Sequence, residues 1–373
     1  MTGKRSLILF AILLHSLIAS AEPDSTWSFG FRPQYGFLIA HRPSMVHLIQ
    51  HHIPSFELYA ERSLGKKDWH KNFGYPSHGV AFYAGNLANP QLIGNGFALI
   101  HYANLHFIRK TSFEWNIRLG TGVGYVTKPF DRLENNKNNA IGTHFNGIMS
   151  IQTQLLFKHQ HLDYGFGISM LHFSNGSFKM PNLGINMPAV FLDARYHFGK
   201  ADYPKKGSYE LPAFTKSVYA AVLFSGGTRE LGAPDGPKYG CLSLESFAAF
   251  RFSRKFSVLG GIDVMNNGSL RTAYHTEFGV WDSKWDFTQA GVMAGLEMNM
   301  DQLKISFQWG NYVMSKYKGD GPFYHRLAIR YFFGNNIIAQ VALKTHFAKA
   351  DYLEAGIGYR FFQSEKKKGA VHE

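Results

Sequence analysis

The sequence predicts an all-β fold, an antiparallel transmembrane β-barrel of about sixteen strands, within a range of roughly fourteen to eighteen. Three observations predict it: period-two alternation of apolar with polar or small residues, short turns alternating with long connections, and an export signal on a chain without a membrane-length apolar run. Only helices and closed barrels satisfy every backbone polar group inside lipid. A barrel hides its hydrophobicity in alternation, so a mean hydropathy of -0.18 is what such a chain should show. The 33 Phe, 19 Tyr and 6 Trp suit aromatic girdles at the two membrane surfaces.

At the N-terminus Lys4 and Arg5 precede a mostly apolar run from Leu7 to Ile18 that ends in Ala19-Ser20-Ala21. That arrangement predicts a signal peptide over residues 1–21, cleaved after Ala21, because the run is shorter than the ~20 residues a membrane helix needs. The barrel is then expected over 22–362, with a charged tail over 363–373.

Alternation is clearest where Phe113, Trp115, Ile117, Leu119, Thr121, Val123 and Tyr125 share one face and Glu114, Asn116, Arg118 and glycines share the other. The next strand sets Phe145, Met149, Ile151, Leu155 and Phe157 against Asn146, Ser150, Gln152, Gln154 and Lys158. Its partner sets Leu162, Tyr164, Phe166, Ile168 and Met170 against Asp163, Gly165, Gly167 and Ser169. Short turns are expected near 109–111, 160–161, 253–255, 301–302 and 334–336. Long loops are expected near 42–53, 128–142, 173–187, 229–240, 266–285 and 315–323, with Thr272–Val280 readable as strand or loop. A polar connector from Gly199 to Phe214 divides the chain into halves, 26–199 and 215–362, and 144–199 has a faint counterpart over 287–334. We expect one larger barrel rather than a tandem pair, since nothing in the sequence explains two complete small barrels joined by so few residues.

The formal charge of +13 comes from scattered basic residues, which fits anionic outer-membrane lipid and no nucleic acid. Cys241 is the only cysteine, which excludes an intrachain disulfide and a cysteine metal cluster. Neither a metal nor a cofactor is expected; His51 and His52 read as surface residues.

The segment with chemical potential runs from Leu171 to Asn186, at the top of one strand and through the loop after it. His172 and Ser174 lie two apart, so their side chains leave the same face, the apolar one that continues Phe166, Ile168 and Met170. A serine hydroxyl is a poor nucleophile until an imidazole takes its proton, and a third group must hold the imidazole in the right tautomer. Asn186 has the parity of Val190, Leu192 and Tyr196 and should face outward beside the pair, whereas Asp193 should point inward. The Asn175-Gly176 backbone or the Asn182 side chain are candidates for an oxyanion site. Taken alone, Ser-Asn-Gly is also ordinary turn chemistry.

His172-Phe173-Ser174-Asn175-Gly176 followed by Lys179, Pro181-Asn182 and Gly184 closely resembles the signature of the outer-membrane lipid A 3-O-deacylases, the acyloxyacyl hydrolase family. The resemblance spans roughly 26–199 and is specific over 171–198. It implies a barrel serine esterase that removes the 3-O-linked hydroxyacyl chain from the lipid A of lipopolysaccharide, using a histidine, a serine and an acid on the membrane-facing wall. The histidine matches His172 and the serine Ser174, but Asn186 stands where the glutamate is expected. An amide can orient an imidazole without stabilising its charge, so slower turnover is expected. The alternatives are a silent barrel acting as a channel or surface-binding protein, and an outer-membrane phospholipase.

Overall fold

The structure, a computed structural model, describes residues 27–63, 67–198, 210–211, 213–347 and 349–365. The expected signal peptide, most of the polar connector and the tail beyond Glu365 lie outside the described residues. No helix among the described residues is long and apolar enough to cross a membrane.

Among the described residues sixteen strands carry the fold. The first eight are β1 (Trp27–Gly36), β2 (Ile53–Ser63), β3 (Ser77–Asn86), β4 (Asn95–Arg109), β5 (Phe113–Val126), β6 (Phe145–His159), β7 (Leu162–Ser174) and β8 (Ile185–Phe198). The second eight are β9 (Ser217–Glu230), β10 (Lys238–Arg251), β11 (Phe256–Asn267), β12 (Thr288–Met300), β13 (Leu303–Met314), β14 (Phe323–Phe333), β15 (Ile337–His346) and β16 (Lys349–Glu365). Every pairing is antiparallel between sequence neighbours, except the two closures, β1 with β8 and β9 with β16.

Those closures correct the expectation of one large barrel: the sixteen strands form two closed eight-stranded barrels. The faint internal repeat is corrected with it. By position in the barrel, β6–β8 correspond to β14–β16, whereas 287–334 spans β12–β14. Thr272–Val280 falls largely within a helix, α2 (Ser269–Phe278), in the β11–β12 loop, and a shorter helix, α1 (Asp68–Asn72), lies between β2 and β3. Gln363, Ser364 and Glu365, expected at the start of the tail, pair in β16 opposite Tyr219, Val218 and Ser217.

An eight-stranded barrel is just wide enough for side chains to fill it. Arg32 holds Glu57 at 3.1 Å and Asp193 at 2.6 Å, while Arg195 holds Glu61 at 3.1 Å and Asp163 at 2.6 Å, all inside the first barrel. In the second, Arg326 reaches Glu245 at 3.0 Å, Asp263 at 2.9 Å and Glu354 at 2.8 Å, and Arg330 pairs with Glu245. These buried charges survive only because each is paired and hydrogen-bonded. Outside, Phe31, Ile168, Leu192, Phe224, Ile262 and Ile357 are exposed, as a lipid-facing wall requires.

At the external end of the first barrel the loops close over an apolar cluster. Met45 and Leu48 from the β1–β2 link, Leu87 and Ile93 from β3–β4, and Ala140 and Ile141 from β5–β6 pack with Phe173 and Ile185. The rim that carries β7 and β8 is therefore packed from beneath.

Candidate active site

Outward parity on β7 continues to the rim, so His172 and Ser174 lie on the membrane-facing wall while Leu171 and Phe173 point into the barrel. Ladder register sets His172 directly opposite Asn186 on β8. Their side chains meet, with His172 Nδ1 2.6 Å from Asn186 Oδ1. An amide oxygen can only accept, so the imidazole donates from Nδ1 and leaves the Nε2 lone pair free, the tautomer a general base needs.

A fourth residue, His41, joins the pair. The ladder between β1 and β8 runs past Gly36, with Phe37 N–H donating to the Pro188 carbonyl at 3.1 Å and Ile39 N–H to the Asn186 carbonyl at 3.0 Å. This extension brings His41 Nδ1 to 3.1 Å from Asn186 Nδ2. The amide nitrogen donates there, which turns Oδ1 toward His172. Sequence reading missed His41, although it ends the outward series Tyr35, Phe37, Ile39.

Ser174 Oγ lies against the loop that follows it rather than against His172. Asn182 Nδ2 donates to it at 3.0 Å and Gly176 N–H at 3.2 Å. Two donors thus converge on Ser174 Oγ itself, and they become available to another oxygen only when Oγ turns away. Asn175 plays a different part: its N–H donates to Asn182 Oδ1 at 2.9 Å and its Nδ2 to the Lys179 carbonyl at 2.7 Å, so it organises the loop. Gly184 closes the loop in a left-handed conformation at φ +82°, and a Cβ there would sit 2.8 Å from His172 Cε1. The imidazole is thereby seated against bare backbone.

Below the site the wall is grooved. A cleft of ≈ 610 Å³ is lined by Tyr35, Phe166, Ile168, Val190, Phe191 and Leu192, among others. Ile168 lies four residues below His172 on β7, about 13 Å along the strand. Gly167 and the buried Phe191 form its floor, where a Cβ on Gly167 would come within 2.5 Å of the Phe191 ring. No cluster of three or more His, Cys, Asp or Glu side chains suited to a metal occurs among the described residues.

The first barrel is closed, filled with paired charges and apolar outside, with a polar constellation on its outer wall at the rim. Two family models match the chain: "Lipid A 3-O-deacylase (PagL)" over 55–195 and "Acyloxyacyl hydrolase, C-terminal domain" over 217–364. The chain belongs to the lipid A 3-O-deacylase family, and it is an outer-membrane lipid A deacylase. Among solved structures, the outer membrane enzyme PagL matches at 15% identity and a TM-score of 0.29, covering 44% of this chain and 97% of that one. The OccK11 protein of Pseudomonas aeruginosa matches at 10% identity and a TM-score of 0.20, covering 92% of this chain and 96% of that one. A porin triple mutant from Rhodopseudomonas blastica matches at 7% identity and a TM-score of 0.17, covering 90% of this chain and 100% of that one. No curated protein matches.

Proposed function

We propose that the deacylase works as a serine esterase, with Ser174 as nucleophile, His172 as general base and Asn186 as the group that orients it. The single observation that carries this reading is the 2.6 Å contact between His172 Nδ1 and Asn186 Oδ1 on the same outward face as Ser174. The reaction requires Oγ to turn from Asn182 toward the imidazole, a contact that commonly tightens only with substrate bound.

The chemistry then follows in two halves. Ser174 Oγ adds to the carbonyl carbon of the 3-O-acyl ester while His172 Nε2 takes its proton, and the electron pair of the C=O bond moves onto the carbonyl oxygen, which becomes negative. Asn182 Nδ2 and Gly176 N–H donate to that oxygen. Collapse breaks the bond to the lipid A 3-oxygen, which leaves with the proton from His172. Water, deprotonated in turn by His172, hydrolyses the acyl-serine and releases a hydroxy fatty acid. The wall groove under the site accepts the acyl chain, because its apolar lining lies within one chain length of Ser174.

A serine-directed fluorophosphonate tests the catalytic type. Labelling is expected on the peptide carrying Ser174 and is expected to be lost in His172→Ala; labelling elsewhere, or none in active enzyme, contradicts the reading. The channel alternative has no support in the lumens, which are filled by paired side chains.

A further inference from the structure

Among the described residues the second barrel contains no counterpart of the site. Its seventh and eighth strands, β15 and β16, are joined through only two residues where β7 and β8 are joined by the loop 175–184. That short connection leaves the outer wall of β15 and β16 open at the external rim, and the β7–β8 loop lies against it.

Contacts there follow one another along the loop. Gly176, left-handed at φ +63°, packs on the outward pair Leu343 and Leu353, and a Cβ on it would come within 3.1 Å of Leu353 Cβ. The Ser177 carbonyl accepts from Glu230 N–H at 2.9 Å, at the top of β9. Ser177 Oγ donates to the Ala350 carbonyl at 2.9 Å, at the top of β16. Lys238 at the start of β10 places Nζ 3.5 Å over the Phe178 ring, and Lys179 pairs with Asp235 of the β9–β10 loop at 3.1 Å. Ser177 itself holds φ +65°, a conformation that a non-glycine residue keeps only when its surroundings dictate it.

We propose that the external rim of the second barrel is a positioning element for the active-site loop, holding Gly176 and Asn182 where they donate to the reacting oxygen. This rests on the serine-esterase reading above. Gly176 provides one oxyanion N–H, and the next three residues are all held by the second barrel. The loop's other flank is fixed by its own barrel, through Asn175 Nδ2 on Thr143 Oγ1 at 3.2 Å and Gly184 N–H on the Ala140 carbonyl at 2.9 Å. The segment between those anchors is short, so its conformation is set from both sides. The second barrel thus contributes to turnover without touching the substrate, and its residues are positioning residues. Retention of a whole second barrel that lacks a catalytic pair then has a physical reason.

The test uses the full-length protein in lipid vesicles containing lipid A, with folding of each variant checked by its heat-modifiable mobility in detergent gels. Asp235→Lys and Lys179→Glu are each expected to lower kcat about two- to fivefold with KM unchanged, the range of an exposed ion pair. The double variant, with the charges exchanged, is expected to regain wild-type kcat. Leu353→Trp, which wedges the seat of Gly176, is expected to lower kcat tenfold or more in a folded barrel. Wild-type kcat in folded Asp235→Lys and Leu353→Trp overturns the proposal. A loss confined to KM also overturns it, since the rim would then bind substrate directly. Full activity in Ser174→Ala overturns the serine mechanism and the positioning role together, whereas wild-type dependence on Ser174 with insensitive rim variants overturns only the latter.

Discussion

Replacing Asn186 by glutamate restores a carboxylate beside His172, and the structure sets the size of the gain. The 2.6 Å contact from His172 Nδ1 is already made by an amide oxygen, so the tautomer is right and only the charge is missing. Hydrogen bonds to a charged group contribute about 1.5–3 kcal/mol against about 0.5–1.5 for neutral ones. Stabilising the imidazolium in the transition state by the difference, about 1–1.5 kcal/mol, raises kcat about tenfold. This is far below the ~10⁴ lost when an amide replaces the triad aspartate of a serine protease, where the wrong tautomer results. His41 supplies the control. It is expected to matter in the natural chain, where it sets which end of the Asn186 amide faces His172, and to matter little in Asn186→Glu, whose two oxygens are equivalent. Single-turnover deacylation of lipid A in vesicles gives kcat for Asn186→Glu, His41→Ala and the double variant. Unchanged or reduced kcat in folded Asn186→Glu, or an equal His41→Ala effect in both backgrounds, refutes the orienting role.

The wall groove predicts that Val190→Trp, which fills it without touching His172 or Ser174, raises KM for long acyl chains about tenfold and shifts preference toward shorter ones; equal kinetics across chain lengths contradicts an acyl groove. Arg326 is fully buried between Glu245, Asp263 and Glu354. Arg326→Met removes the cation from Asp263 and Glu354 and leaves Glu245 to Arg330 alone; it is expected to cost about 3–5 kcal/mol, read as a lower urea midpoint of the second barrel, and an unchanged midpoint would show that the network does not hold that barrel. Planar-bilayer recordings are expected to show no porin-sized conductance steps, because both lumens are packed; steady large steps would mean the interiors are open to water.

Strand parity was legible because the side-chain period is two. It placed Asp193 inside, where Arg32 meets it, and His172, Ser174 and Asn186 on the outer wall before any pairing was known. Turns such as 160–161 and 301–302 and the total of sixteen strands followed from the same alternation. Closure was not legible. Whether β8 pairs with β1 or with β9 leaves no trace in local pattern, since either choice keeps every residue on the same face. The inward charges were a usable clue, as Glu57, Arg118 and Arg195 can be buried only in a barrel narrow enough for them to meet. His41 escaped notice because it lies beyond the end of β1, 145 residues from Asn186, where only the closing ladder brings the two together. Contact of the β7–β8 loop with the second barrel is long-range in the same way, and no spacing within the loop announces it.

Removal of an ester-linked hydroxyacyl chain from lipid A by Ser174 is tested most directly by mass spectra of lipid A from paired cells making the wild-type chain and Ser174→Ala. Loss of one hydroxyacyl chain with the wild type, and intact lipid A with a folded Ser174→Ala barrel, is the predicted result. Intact lipid A in both, or the same loss in both, would contradict it.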